Sequence, residues 1–222
     1  MIIRLLATGA TLALLAACNP ATEAPEAGAD TAQTTDATTP ETAPAFTLVD
    51  AEGVERSLAD FRGRTVVLEW TNEGCPYVQK HYSAGAMQAL QREATADGVV
   101  WLTIISSAPG QQGFVEGDAA REWTTRNDAA ATHLLLDPDG TVGRLYDAKT
   151  TPDMRIIDPE GRLLFVGGID DRPTNKVEDL DGANNHVKTA LADMEAGRAV
   201  ATPYATPYGC SIKYGDAEDA PA

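Results

Sequence analysis

Three cysteines, at positions 18, 75 and 210 of a 222-residue chain, carry most of the chemistry the side chains can do. An odd and small number cannot build a disulfide framework, so each needs its own explanation. Cys75 has the setting that favours reactivity. It follows the β-branched run Thr65-Val-Val-Leu68 and a short loop from Thr71 to Gly74, and it stands directly before Pro76. Proline suits a first helical position because its missing N–H costs nothing there, so a helix is predicted to begin at Pro76. A thiol at that point lies at the positive end of the helix dipole, beside unpaired N–H groups. Both favour the thiolate, the nucleophilic form. The competing reading is a buried, inert cysteine, against which the flanking Gly74 and Pro76 argue.

Cys210 lies in an extended arm, Thr202-Pro-Tyr-Ala-Thr-Pro-Tyr-Gly-Cys210-Ser-Ile-Lys. Tyr204, Tyr208 and Ile212 are predicted to pack this arm back on the domain. Three roles stay open for the thiol. It can resolve a bond formed at Cys75, staple the arm as an inert disulfide, or remain free and distant.

Cys18 differs from both. Residues 1–17 carry one early positive charge, Arg4, and an apolar run from Leu5 to Ala17 that ends in small residues. That pattern is a secretory signal peptide rather than a spanning helix. The sequence Leu15-Ala-Ala-Cys18 resembles the bacterial lipobox, in which the cysteine becomes the lipidated first residue of the mature protein. The resemblance implies a lipid-anchored protein of the bacterial cell envelope, facing the periplasm. Asn19, where an Asp favours retention at the inner membrane, points to the outer membrane. Such a compartment is oxidising and permits disulfides.

Elements must then position Cys75 and Cys210. Residues 18–44 are rich in Ala, Thr, Pro and Glu and contain no Lys or Arg. They have too little apolar surface to fold and read as an acidic tether. Residues 45–214 alternate strand and helix signals, with the arm at 197–214 and a disordered tail at 215–222. Phe46–Val49 and Val54–Arg56 read as a hairpin, followed by a capped turn at Ser57–Asp60. Thr65–Leu68, Val99–Ile105 and His133–Leu136 read as buried strands. One helix is predicted from Pro76 through Met87, Leu90 and Ala94 to Gly98, another over Gly117–Asn127, and a last over Asn185–Glu195. A helical turn is predicted at Val142–Tyr146, and Met154–Asp158 with Arg162–Val166 read as an antiparallel hairpin. The order predicts an α/β fold with a mixed sheet flanked by helices.

Within that order, Gly74-Cys-Pro-Tyr-Val-Gln-Lys-His-Tyr82, Thr151-Pro152 before a strand, Ile169-Asp-Asp171 and Tyr208-Gly-Cys-Ser-Ile-Lys-Tyr214 resemble the thioredoxin-like superfamily. Among its members the chain resembles the peroxiredoxin-like redoxins grouped with alkyl hydroperoxide reductases (AhpC/TSA). The resemblance spans nearly all of residues 45–214. It implies a thioredoxin-like fold, a redox-active Cys75, and a cis Pro152 that, with Thr151, shapes a groove for an extended substrate beside the sulfur. It also implies a buried carboxylate at Glu69, six residues before Cys75, able to move protons to or from a leaving thiol. An outward-facing Glu69 at a strand end is the other reading. Two positions depart from the pattern. Val78 replaces the second cysteine of the thioredoxin motif, which excludes a local Cys-x-x-Cys disulfide. Asn72 replaces the threonine found three residues before a peroxidatic cysteine, which weighs against peroxidase activity.

The remaining polar residues carry blander readings. His81 is nearly two helical turns beyond Cys75 and reads as solvated or capping, though Lys80 and His81 can bring positive charge near the site. Asp170, Asp171, Asp179 and Asp181 read as a solvated acidic loop without the EF-hand spacing of a Ca²⁺ site. Ser107–Gly113 reads as a flexible loop bordering Cys75, with no phosphate-binding spacing.

Composition removes other classes. With 33 acidic against 17 basic side chains, a net charge of −16 excludes a nucleic-acid surface. Three histidines without shared spacing argue against structural zinc, and no cofactor is expected. The preferred expectation is a membrane-anchored, extracytoplasmic thiol–disulfide oxidoreductase. Its nucleophile is Cys75, its groove Thr151 and Pro152, its proton carrier Glu69 and its resolving thiol Cys210. Its partners are a thiol, disulfide or peroxide substrate and an external thiol reductant. The alternatives are a thiol peroxidase and a redox-inert lipoprotein that binds a partner or a metal.

Overall fold

A computed structural model describes residues 41–215. The expected signal peptide 1–17, the expected lipidation site Cys18, the expected tether up to residue 40 and the tail from 216 lie outside the described residues. The strands are β1 (Thr47–Asp50), β2 (Glu55–Ser57), β3 (Val66–Trp70), β4 (Val100–Ile105), β5 (His133–Leu136), β6 (Thr150–Thr151), β7 (Asp153–Ile157), β8 (Leu163–Gly167), β9 (Tyr204–Ala205) and β10 (Cys210–Ser211). The helices are α1 (Pro76–Ser83), α2 (Ala86–Ala96), α3 (Gly117–Arg126), α4 (Thr141–Leu145) and α5 (His186–Glu195).

Eight strands form one mixed sheet in the order β2-β1-β5-β4-β3-β7-β8-β9, with β3, β4 and β5 parallel and β7 antiparallel to β3. The central strands read as unbroken apolar runs because both faces are covered. Alternation along each strand divides their side chains. Val67, Trp101, Ile105, Leu134 and Ile156 join Tyr82, Met87, Leu90, Trp123 and Val187 of the helices on one face. Val66, Leu68, Trp70, Leu102, Ile104 and Leu135 pack on the other with Phe46, Leu58, Phe61, Val142 and Tyr146. The α/β architecture expected from the sequence is therefore present, including the N-terminal hairpin β1–β2 and a C-terminal arm.

Two features differ from the sequence reading. The single helix expected from Pro76 to Gly98 is two helices. Gly85 takes φ +73 after the Ala84 cap and its N–H bonds Tyr82 O, so the chain turns before α2. Glycine enters this left-handed region without a Cβ clash and is the usual helix terminator. Residues 41–44, assigned to the tether by composition, are joined to the domain. Leu163 N–H donates to Glu41 O at 2.7 Å and Ala43 N–H to Gly161 O at 2.9 Å.

The arm returns to the domain in two steps. β9 runs parallel to β8 at the sheet edge, and β10 then pairs antiparallel with β6 in a separate two-stranded ribbon that sets Cys210 opposite Thr151. Beyond it, Ile212 is buried and donates its N–H to Lys149 O, and Tyr214 Oη donates to Ala148 O.

Candidate active site

Cys75 is the N-cap residue of α1, with extended backbone (φ −85, ψ 121) and Pro76 at the first helical turn. β3 delivers the chain to this point, and the cap follows because the loop ends in a turn closed by Cys75 N–H to Asn72 O at 3.0 Å. As a thiol, Cys75 donates to Thr151 O at 3.2 Å and is 0% exposed. Burial alone would raise its pKa. Donors from the Cys210 side chain, the Thr151 hydroxyl, and the Val78 and Cys210 amides outweigh that and hold it below the usual thiol value. The Thr151 hydroxyl is buried and meets no other partner, so the thiolate is the natural acceptor for it.

Cys210 is brought to the same point by β10. Both cysteines are free thiols, and Thr151 joins them: Cys210 is its partner across the β6–β10 ribbon, and its carbonyl oxygen accepts from the Cys75 sulfur. Burial, followed by the Cys75 sulfur as neighbour, pushes the Cys210 thiol up to about 11. The two sulfurs are thereby differentiated: Cys75 is the more acidic, and Cys210 keeps its proton and donates. Of the three sequence readings for Cys210, the distant free thiol is excluded by this geometry.

The Thr151–Pro152 peptide is cis. Thr151 O and Thr151 Oγ1 face the Cys75 sulfur, and the edge of β6 that an extended substrate would pair with is occupied by β10. Gly209 makes this approach feasible: a Cβ there would stand 2.0 Å from Thr151 O, at a φ of +134. The Ser107–Gly113 loop packs against Asn72 and Gly74, in the turn that leads into the cysteine. Asn72 Oδ1 accepts from Gly74 N–H at 2.9 Å, Asn72 Nδ2 donates to Gln112 O at 3.0 Å, and Gln112 Nε2 donates to Gly74 O at 3.2 Å.

Glu69 turns inward. It shares the β3 face of Val67 and is completely buried. Tyr82 Oη (2.9 Å) bonds one oxygen, while Trp101 Nε1 (2.8 Å), Gln91 Nε2 (3.0 Å) and Thr103 Oγ1 (3.1 Å) bond the other. Burial raises its pKa against those donors. Cys75 is not among its hydrogen-bond partners, so the structure does not join this carboxylate to the sulfur directly.

His81 is a correction. It is buried rather than solvated, with Nε2 3.7 Å from Asp170 Oδ2. Burial lowers its pKa to about 4, in spite of Asp170. Asp170 is the second correction. Asp171 and Asp181 are exposed as expected and Asp179 is half-buried, but Asp170 is 4% exposed and ion-paired to the buried Lys80. Sequence reasoning missed this group because its partners come from α1 and the arm, far away in the chain. Among the described residues no group of three or more His, Cys, Asp or Glu is placed to hold a metal ion, and no helix is long and apolar enough to cross a membrane.

The profile of the AhpC/TSA family matches residues 40–166, more than half of the chain. The chain belongs to the AhpC/TSA family. The match contains Glu69, Cys75, Thr151 and Pro152 and stops before the arm with Cys210. No curated protein matches the sequence significantly. Among solved structures, an uncharacterized conserved protein of Geobacillus kaustophilus is similar with a TM-score of 0.68 at 25% identity, covering 80% of this chain and 93% of that one. A hypothetical protein of Sinorhizobium meliloti 1021 gives 0.67 at 24% identity, covering 81% and 96%. A candidate thioredoxin of Neisseria meningitidis gives 0.50 at 19% identity, covering 71% and 95%. The fold of this AhpC/TSA member is thus thioredoxin-like, and it carries Val78 where a second motif cysteine would stand.

Proposed function

We propose that this redoxin is a thiol–disulfide oxidoreductase of the bacterial cell envelope, anchored through a lipid on Cys18 and working outside the cytoplasm. The observation that carries the chemistry is the pairing of an acidified Cys75 with a proton-retaining Cys210 beside Thr151. The Cys75 thiolate attacks one sulfur of a substrate disulfide, and the other sulfur leaves as a thiolate that takes up a proton. The mixed disulfide is resolved when Cys210, losing its proton, attacks the Cys75 sulfur and expels the second substrate thiol. The substrate gains two electrons and two protons, and the protein holds Cys75–Cys210. An external dithiol reductant returns it to the starting state. Thr151 and Pro152 shape the approach to the sulfur. Glu69 contributes by holding the protein network beneath α1 and α2, and a proton path from it to Cys75 would need an intervening carrier.

A second reading is favoured by family membership together with the closed site. A small peroxide reaches a buried sulfur more readily than a protein does. Cys75 would then become a sulfenic acid with release of an alcohol or water, and Cys210 would condense with it, releasing water. Stopped-flow reaction of the reduced protein with a dithiodipyridine-type disulfide and with hydrogen peroxide separates the two. Fast disulfide exchange with slow peroxide consumption supports the oxidoreductase, and the reverse supports the peroxidase. Loss of both activities in Cys75→Ser is expected, whereas retained activity refutes the nucleophile assignment. Membrane fractionation of wild type and Cys18→Ala, with the variant leaving the membrane fraction, tests the anchor.

A further inference from the structure

A buried charge cluster lies beside the cysteine pair and has no part in the chemistry described so far. Asp170 follows β8, just past Gly167-Gly168-Ile169. Its Oδ2 pairs with Lys80 Nζ of α1 at 3.3 Å and faces His81 Nε2. Its Oδ1 accepts from Arg172 N–H at 2.8 Å and from the hydroxyl of Tyr208, two residues before Cys210. Lys80 Nζ also donates to Arg172 O at 2.7 Å and stands 5.6 Å from the centre of the Tyr208 ring. That ring packs edge-on against Tyr77, two residues past Cys75, with centroids 5.9 Å apart. One carboxylate therefore ties together the helix that begins at Cys75, the loop after β8, and the arm that carries Cys210.

A buried ion pair is an inefficient source of stability, because desolvation consumes most of the attraction and apolar packing would serve as well. What it supplies here is a single seat for the arm. From the arm, the Tyr208 hydroxyl reaches the carboxylate, which fixes the register of the following strand. In a two-stranded ribbon a slip of one residue would turn Cys210 to the opposite face. The backbone beneath is cut to accept this seat. A Cβ at Gly167 would lie 1.8 Å from Ala205 O, and one at Gly168 would lie 2.9 Å from Thr206 O and 3.2 Å from the Tyr208 ring.

We propose that Asp170 is a positioning residue: by holding Tyr208, with Lys80 as its counter-ion, it seats the arm so that Cys210 stands opposite Thr151 and against the Cys75 sulfur. The inference rests on the reading of Cys75 and Cys210 as a redox pair. It makes the ease of closing the disulfide a property of a hydrogen bond two residues upstream, on groups that touch neither sulfur.

The test is the equilibrium of the full-length protein with oxidised and reduced glutathione. Each closure converts two protein thiols and one oxidised glutathione into the protein disulfide and two reduced glutathiones. Tyr208→Phe removes the hydroxyl and leaves the ring on Tyr77 and Lys80, and Asp170→Asn weakens the whole cluster. Loss of a hydrogen bond to a charged group is expected to lower the closing equilibrium constant about tenfold in Tyr208→Phe, and the Cys75 thiolate is expected to form at higher pH as Cys210 withdraws. An equilibrium constant and thiolate profile unchanged from wild type in Tyr208→Phe would overturn the positioning role while leaving the redox pair intact. Failure of the wild type itself to close a Cys75–Cys210 disulfide would overturn the redox pair, and the inference with it.

Discussion

Replacing Gly209 by alanine perturbs the contact on which the pairing of the two cysteines depends. The new Cβ would stand 2.0 Å from Thr151 O and 2.8 Å from its carbonyl carbon. Carbon–oxygen contacts settle at about 3.3–3.6 Å, so β10 must retreat from β6 by more than about 1 Å. The backbone there also has φ +134, a region that L side chains rarely adopt. In the dithiol form the arm can swing away and relieve the clash. In the disulfide form it cannot, because a disulfide holds its two Cβ atoms about 3.8 Å apart. The penalty therefore falls on the closed form. At about 1–3 kcal/mol for a residue forced into such a conformation, the closing equilibrium should drop by about 5- to 150-fold. Glutathione redox titration, with acid quenching and mass analysis of blocked thiols, measures it. Gly182→Ala is the control, since Gly182 has φ +69 but nothing within 4 Å of the point where the alanine methyl would stand; it should leave the equilibrium unchanged. A Gly209→Ala protein that closes as readily as wild type would refute the reasoning.

Three further outcomes are expected. Thr151→Val removes a buried hydroxyl that lowers the Cys75 pKa and has no other partner, so thiolate absorbance should rise at higher pH than in wild type while the urea midpoint does not fall. Asp137 is pushed up by burial to about 6, against hydrogen bonds from Ser106 and the Gly143 and Val142 amides. A carboxyl raised on folding supports stability below its unfolded value of 3.8 and loses that support as pH rises through about 6; urea titrations between those limits should show this slope in wild type and a flatter one in Asp137→Asn. Lys80→Met strips the counter-ion from Asp170 and should destabilise the domain by about 3–5 kcal/mol, read by chemical denaturation.

Regular elements were legible where local composition decides them. The β-branched run at Thr65–Leu68 and the apolar run at Val99–Ile105 mark the central strands because both sheet faces are buried. Pro76 marks the start of α1, and with it the N-cap position of Cys75. The break between α1 and α2 was not legible, since a lone glycine within a helical pattern is ordinarily tolerated and only the positive φ of Gly85 shows the turn. Residues 41–44 read as tether because side-chain composition says nothing of backbone groups that pair with a strand turn. In the site, the acidity of Cys75 could be argued from its helix start, but its strongest donors come from Cys210 and Thr151, and their arrival depends on the route of the arm. Asp170 illustrates the limit most sharply. The next residue, Asp171, is acidic and exposed, while the burial of Asp170 is set by Lys80, ninety positions away, and by Tyr208, thirty-eight positions away. Nothing local distinguishes it from Asp171.

The most direct measurement of the central claim is the fate of the sulfurs after the reduced protein meets one equivalent of oxidised glutathione. In wild type, peptide mass mapping should find Cys75 and Cys210 joined to each other, with two reduced glutathiones released. In Cys210→Ser, it should find a single glutathione held on Cys75. Wild-type protein that keeps both thiols, or glutathione captured on Cys210 while Cys75 stays free, would contradict it.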